Sequence, residues 1–206
     1  MGEPLVFLLV GAAAVVAGLA RGGRLRGLRE TTARYRRLAA VCLATQALVV
    51  ALPLRAVGLP YGLGALLLVL ALAGLLAFAR ANGRLPGAPL VALGLLLNLV
   101  VVVANAGMPT SVATLERAGI GVEQPPPHRP DAKHVLRGAG TRMALLGDRL
   151  AVRPLRAVTG YGTVCELAGL FLLLQHLLLA AAPFREDGDA HDAHEARTVP
   201  WTTWAD

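Results

Sequence analysis

The clearest pattern with chemical potential surrounds Glu166. It lies in an apolar run from about Thr163 to Ala182 and follows 3- and 4-residue steps with Gly162, Gly169, Leu173 and His176. Such steps place all five on one helical stripe, with Leu170, Leu174, Leu177 and Leu178 on the other side. An ionisable group at membrane depth is costly, so it either serves a function or is paired. Another run, from about Ala88 to Ala104, sets Gly94, Asn98 and Asn105 on one face, with Gly87 just before it. Glycines let two such helices approach closely, and an amide can then bond across the seam.

Helical rise limits what can meet. Glu166 falls roughly 5 Å below the outer edge of its helix, Asn98 roughly 9 Å and Gln46 about 12 Å, with Asn105 at the edge. The expected polar cluster is therefore Glu166, Asn98, Asn105 and Gln46, with Arg55 in a short outer turn as counter-ion. It is the candidate ligand or proton site. The competing reading is plain helix–helix hydrogen bonding. His176 sits too deep to join.

Other constellations are weaker. His191 and His194 stand among Asp187, Asp189, Asp192 and Glu195, suitable metal-ligand types but in a polar tail that preorganises nothing. His128 and His134 are placed to pair with Asp148 for acid–base work, yet no nucleophile motif accompanies them. The chain has no phosphate-binding loop, dinucleotide fingerprint, nucleophile elbow or zinc-protease motif. No cofactor, metal or catalytic residue is expected.

The elements that must position these residues are membrane helices. Of 206 residues, 55% are hydrophobic, 16% charged and only 4% aromatic, with mean hydropathy +0.59. Leu, Val and Ala make up the apolar mass, and a soluble domain seldom combines these values. Five runs suffice to cross a bilayer: about 4–20, 38–54, 61–79, 88–104 and 163–182. The reading is an all-α integral membrane bundle. Residues 105–162 form an extracytoplasmic cap, and 183–206 form a disordered cytoplasmic tail holding Trp201 and Trp204. Within the cap, Met108 to Ser111 reads as the approach to a short helix from Val112 to Ala118, ended by Gly119. A second amphipathic stretch runs from about Lys133 to Leu150.

Orientation follows from charge. Arg21, Arg24, Arg26, Arg29, Arg34, Arg36 and Arg37 follow the first run, which has only Glu3 before it. Basic loops stay cytoplasmic, so the N-terminus is expected outside and the C-terminus inside. Arg80 and Arg84 agree. The eight basic residues of the cap dissent, as does the acidic tail. The net charge of +7 lies beside apolar runs, which points to anionic lipid headgroups at the Arg-rich loop and not to nucleic acid. A membrane-protein partner is the other expected contact. Cys42 and Cys165 fall near opposite faces, so no disulfide is expected.

Three segments carry a family resemblance: Asn105-Ala106-Gly107-Met108-Pro109-Thr110-Ser111, Leu146-Gly147-Asp148, and Arg21 to Leu25. Together they resemble a bacterial multi-pass membrane-protein family known only as a domain of unknown function. The resemblance covers about residues 1–182 and implies the fold without an activity. Its pattern sets an acid near the start of the last helix after Ser-x-Gly. Here that region reads Thr159-Gly160-Tyr161-Gly162-Thr163, with Glu166 the nearest acid.

The leading function is a non-enzymatic membrane protein, structural or partner-binding. The alternatives are a small transporter or lipid-ligand protein using the outer cluster, and a membrane enzyme acting at the outer leaflet.

Overall fold

The computed structural model describes residues 2–27, 36–51, 60–122 and 133–180. In chain order the elements are α1 (Glu3–Ala20), α2 (Arg36–Ala51), α3 (Tyr61–Ala81), α4 (Ala88–Asn105), β1 (Met108–Thr110) and α5 (Val112–Arg117). Then come β2 (His134–Leu136), β3 (Leu150–Val152), a 3-10 turn (Arg153–Leu155), β4 (Ala157–Thr159) and α6 (Tyr161–Ala180). The fold is mostly helical. Among the described residues four helices are long and apolar enough to cross a membrane: α1, α3, α4 and α6. The shorter apolar α2 has 16 residues, about 24 Å of rise. Its expected end at Leu54 lies outside the described residues.

These helices are apolar all round, which suits lipid on the outside. Pro4 and Pro89 stand in first turns, where a missing N–H costs nothing. The long helices pack in a row: α2 on α3, α3 on α4, α4 on α6, α6 on α1. The main core lies between α2, α3 and α4, around Leu68, Leu72, Leu75, Leu95 and Val102.

The two terminal helices run parallel. At one end Gly2 N donates to Arg156 O (3.1 Å), and at the other Arg24 N donates to Leu178 O (2.9 Å). Near the second end, the Gln175 side chain donates through Nε2 to Ala14 O (2.6 Å) and accepts through Oε1 from Arg21 Nη1 (3.1 Å). Gly18 and Gly23 give Leu178 its place, since a methyl group on Gly18 would come within 2.5 Å of Leu178 Cδ1.

The described residues 106–122 and 133–160 form the cap, at the end where α1 and α6 begin and α4 finishes. Met108 is 1% exposed and belongs to the bundle core, so cap and bundle share packing. The cap is not purely helical, as its described residues include four three-residue strands. Met108–Thr110, read from sequence as the approach to a helix, pairs as a parallel strand with His134–Leu136. β3 and β4 pair antiparallel. Lys133 to Leu150 is strand and turn, not an amphipathic helix. Its backbone groups are taken up by sheet pairing and by Asp148 N donating to Pro109 O (2.9 Å). The short helix α5 does form, with Ser111 Oγ accepting from Thr114 N (3.1 Å) as an N-cap should. Leu115, Ala118 and Val158 make a small second core. The tail, with His191, His194, Trp201 and Trp204, lies outside the described residues.

Candidate functional site

The α4/α6 seam is built by glycine. The helices run antiparallel, Gly94 beside Gly162 and Gly87 beside Gly169. A methyl group on Gly94 would stand 2.4 Å from Gly162 O, and one on Gly169 would stand 2.6 Å from Val91 N. Larger residues would force the helices apart. Across this contact Asn98 Nδ2 donates to Glu166 Oε1 (2.7 Å) and, more distantly, to Thr163 Oγ1 (3.4 Å). Asn98 and Glu166 are buried at 5% and 9% exposure, so lipid does not reach the bond. Asn98 Oδ1 is turned toward Gly162 and has no donor.

The rest of the expected cluster is dispersed. Asn105 does not meet Glu166. Its Nδ2 donates to Val101 O and Arg142 O (both 2.9 Å), and its Oδ1 accepts from Arg142 N (2.8 Å). Asn105 shares a helical face with Asn98, but seven residues are about 10 Å of rise, which carries it into the cap. Gln46 is on α2, with α3 between it and α4. Its Nε2 has no partner. Depth along a helix could not order the helices. Arg55 lies outside the described residues, as do Arg29 and Arg34. Arg21 bonds Gln175, whereas Arg24, Arg26 and Arg37 are exposed. Arg36 begins α2. Among the described residues no three metal-ligating side chains gather, and Cys42 and Cys165 are free thiols.

A second polar centre lies where the cap meets the bundle; of its members the sequence reading named His134 and Asp148 but not Lys133 and Glu3, and His128 lies outside the described residues. Lys133 Nζ donates to both carboxylate oxygens of Glu3 and stands 3.8 Å from Asp148 Oδ2. The same Asp148 oxygen is 2.9 Å from His134 Nε2, and a ring nitrogen facing a carboxylate donates. Lys133, His134 and Asp148 are all buried. Burial opposes the lysine's charge, but the Glu3 and Asp148 carboxylates more than offset this and hold its pKa above the ordinary lysine value. Asp148 also lies beside Gly160, just before α6, where negative charge complements a helix N-terminus. One signal pointed here: Lys133 is the single lysine among twenty basic residues. Its ammonium is a compact point charge with three donors, which here face two carboxylates.

Chemically, the first centre is a neutral amide bonded to a carboxylate in a closed seam. The second is an ionic knot that ties α1, the cap and the start of α6 together. Neither presents a nucleophile beside a base.

A model of a family of unknown function, DUF5317, matches residues 30–175, from just before α2 to late in α6. No curated protein and no solved structure matches the chain.

Proposed function

The chain belongs to the DUF5317 family, and we propose that it works as a non-enzymatic, multi-pass integral membrane protein that holds lipid and a membrane-protein partner. One observation carries this reading. The intramembrane carboxylate, Glu166, is taken up by Asn98 inside a seam that glycines close. A transporter or enzyme would keep that group available to a ligand, and here the neighbouring helix uses it.

The orientation we propose sets the N-terminus and the cap outside and the Arg-rich segment in the cytoplasm, following the basic-loop rule. The parallel course of α1 and α6 supports it, because it assigns Gly2 and the cap to one side and Arg21 to Arg26 to the other. Anionic headgroups are the proposed partners of Arg21, Arg24, Arg26 and Arg37, and of the neighbouring Arg29, Arg34 and Arg36.

The test is extraction from native membranes with mass spectrometry of everything retained. A co-purifying membrane protein and anionic lipid are expected. A stoichiometric small molecule, present with the wild type and lost with Glu166→Gln, would overturn the scaffold reading in favour of a ligand site. A periplasmic-type reporter fused after Gly121 should be active, and one fused after Arg26 inactive.

A further inference from the structure

The loop from Gly138 to Gly147 contains two large apolar side chains that the protein leaves uncovered. Met143 is 52% exposed and Leu145 69%. The loop is nonetheless firmly held. Asn105, the last residue of α4, takes both the N–H and the C=O of Arg142 through its side-chain amide. The Arg137 guanidinium donates to Ala144 O. Leu146 N donates to Met143 O (2.9 Å), and Leu146 itself packs on the bundle core. Met143 adopts φ +52°, a left-handed conformation that L-residues avoid at about 1–2 kcal/mol. A chain that keeps a methionine there, pinned and facing outward, is presenting it.

The pin sets the depth. Asn105 ends a helix long enough to span a bilayer, so the residues it grips lie at the membrane boundary. Tyr161, 50% exposed at the first position of α6, marks the same level, where aromatic residues gather. Charge agrees. Between Lys133 and Gly147 there is no acid, and the exposed Arg142 and Arg149 flank the apolar pair. Apolar side chains bordered by bases are the composition of a segment that enters the headgroup region.

We propose that the Thr141–Leu146 loop is an interfacial anchor that inserts Met143 and Leu145 into the bilayer on the cap side, with Arg142 and Arg149 on the headgroups. This rests on the membrane-spanning reading of α4 and extends it to the cap. The anchor fixes the cap against the membrane surface and adds a lipid contact on the face opposite the Arg-rich segment.

The full chain in nanodiscs tests it, with Trp201 and Trp204 replaced by Phe so that one tryptophan reports. Leu145→Trp should lose emission to bromine-labelled acyl chains at shallow depth, about 5–10 Å into the boundary, and should resist aqueous iodide. Leu96→Trp, exposed on the flank of α4, is the membrane control and should be quenched by deep bromines. Quenching of the Leu145→Trp probe by iodide alone overturns the anchor. Protection from both quenchers also overturns it, because protein then covers the loop. Failure of the Leu96→Trp control would instead remove the membrane-spanning reading beneath it.

Discussion

Asn98 and Glu166 meet 2.7 Å apart at the point where Gly94 and Gly162 bring their helices into backbone contact. The bond and the close approach depend on each other. Without the glycines the amide would not reach, and without the amide the carboxylate would be buried with one donor fewer. Asn98→Leu should therefore lower stability by about 1–3 kcal/mol, since a buried acceptor loses its donor. Glu166→Gln keeps an acceptor for Asn98 and should cost less. Thermal unfolding in detergent checks the order, and equal losses for the two would argue against the bond.

Gly94→Ala probes the same seam by volume alone. The added methyl meets the Gly162 carbonyl at 2.4 Å, so the helices must part, at about 1–3 kcal/mol. Gly121→Ala, in open space on the cap, should be silent by the same assay.

Lys133 gives the cap a defined response to pH. Its folded-state pKa is raised above the ordinary value of 10.5. The stabilisation is thus complete below that value and fades as pH rises through the folded one. The cap should be indifferent to this group from neutral pH to about pH 10 and loosen in stronger alkali. Lys133→Met should lower stability at neutral pH and flatten the alkaline limb of a melting-temperature profile. An unchanged alkaline limb would assign that limb to other groups.

Ala106 ends α4 at φ 52° and ψ 31°, a conformation that glycine adopts without strain. Ala106→Gly should raise stability by about 0.5–1 kcal/mol, and Ala106→Val should lower it. Denaturant titration distinguishes the two signs.

Asn105→Ala removes the clasp on Arg142. Trypsin should then cut after Arg142 much faster while the rest of the chain persists. Unaltered cleavage would mean that Arg137 and Leu146 hold the loop unaided.

Much of this was legible beforehand, and the reasons are physical. Helix positions follow from runs of Leu, Val and Ala, because backbone groups in lipid must be satisfied within the helix. The seam was readable because glycine and asparagine recur at helical spacing on two segments. Gln46 misled because depth along a helix says nothing about which helix stands beside it. Asn105 misled for another reason: sharing a face with Asn98 does not mean sharing a level. The strands of the cap were hidden because three residues are too few to show alternation. The knot of Glu3, Lys133 and Asp148 joins residues as much as 145 positions apart, and no local pattern encodes such a meeting.

The parallel packing of α1 against α6 also fixes an order of assembly. As the chain is made, α2, α3 and α4 can find their neighbours in sequence, each beside the one before it. α1, made before these three, packs against α6, made after them. Its Gly18 and Ala14 contacts cannot form until Leu178 and Gln175 have been synthesised. Glu3 likewise waits for Lys133. A chain that stops before α6 leaves α1 without the surface it packs on.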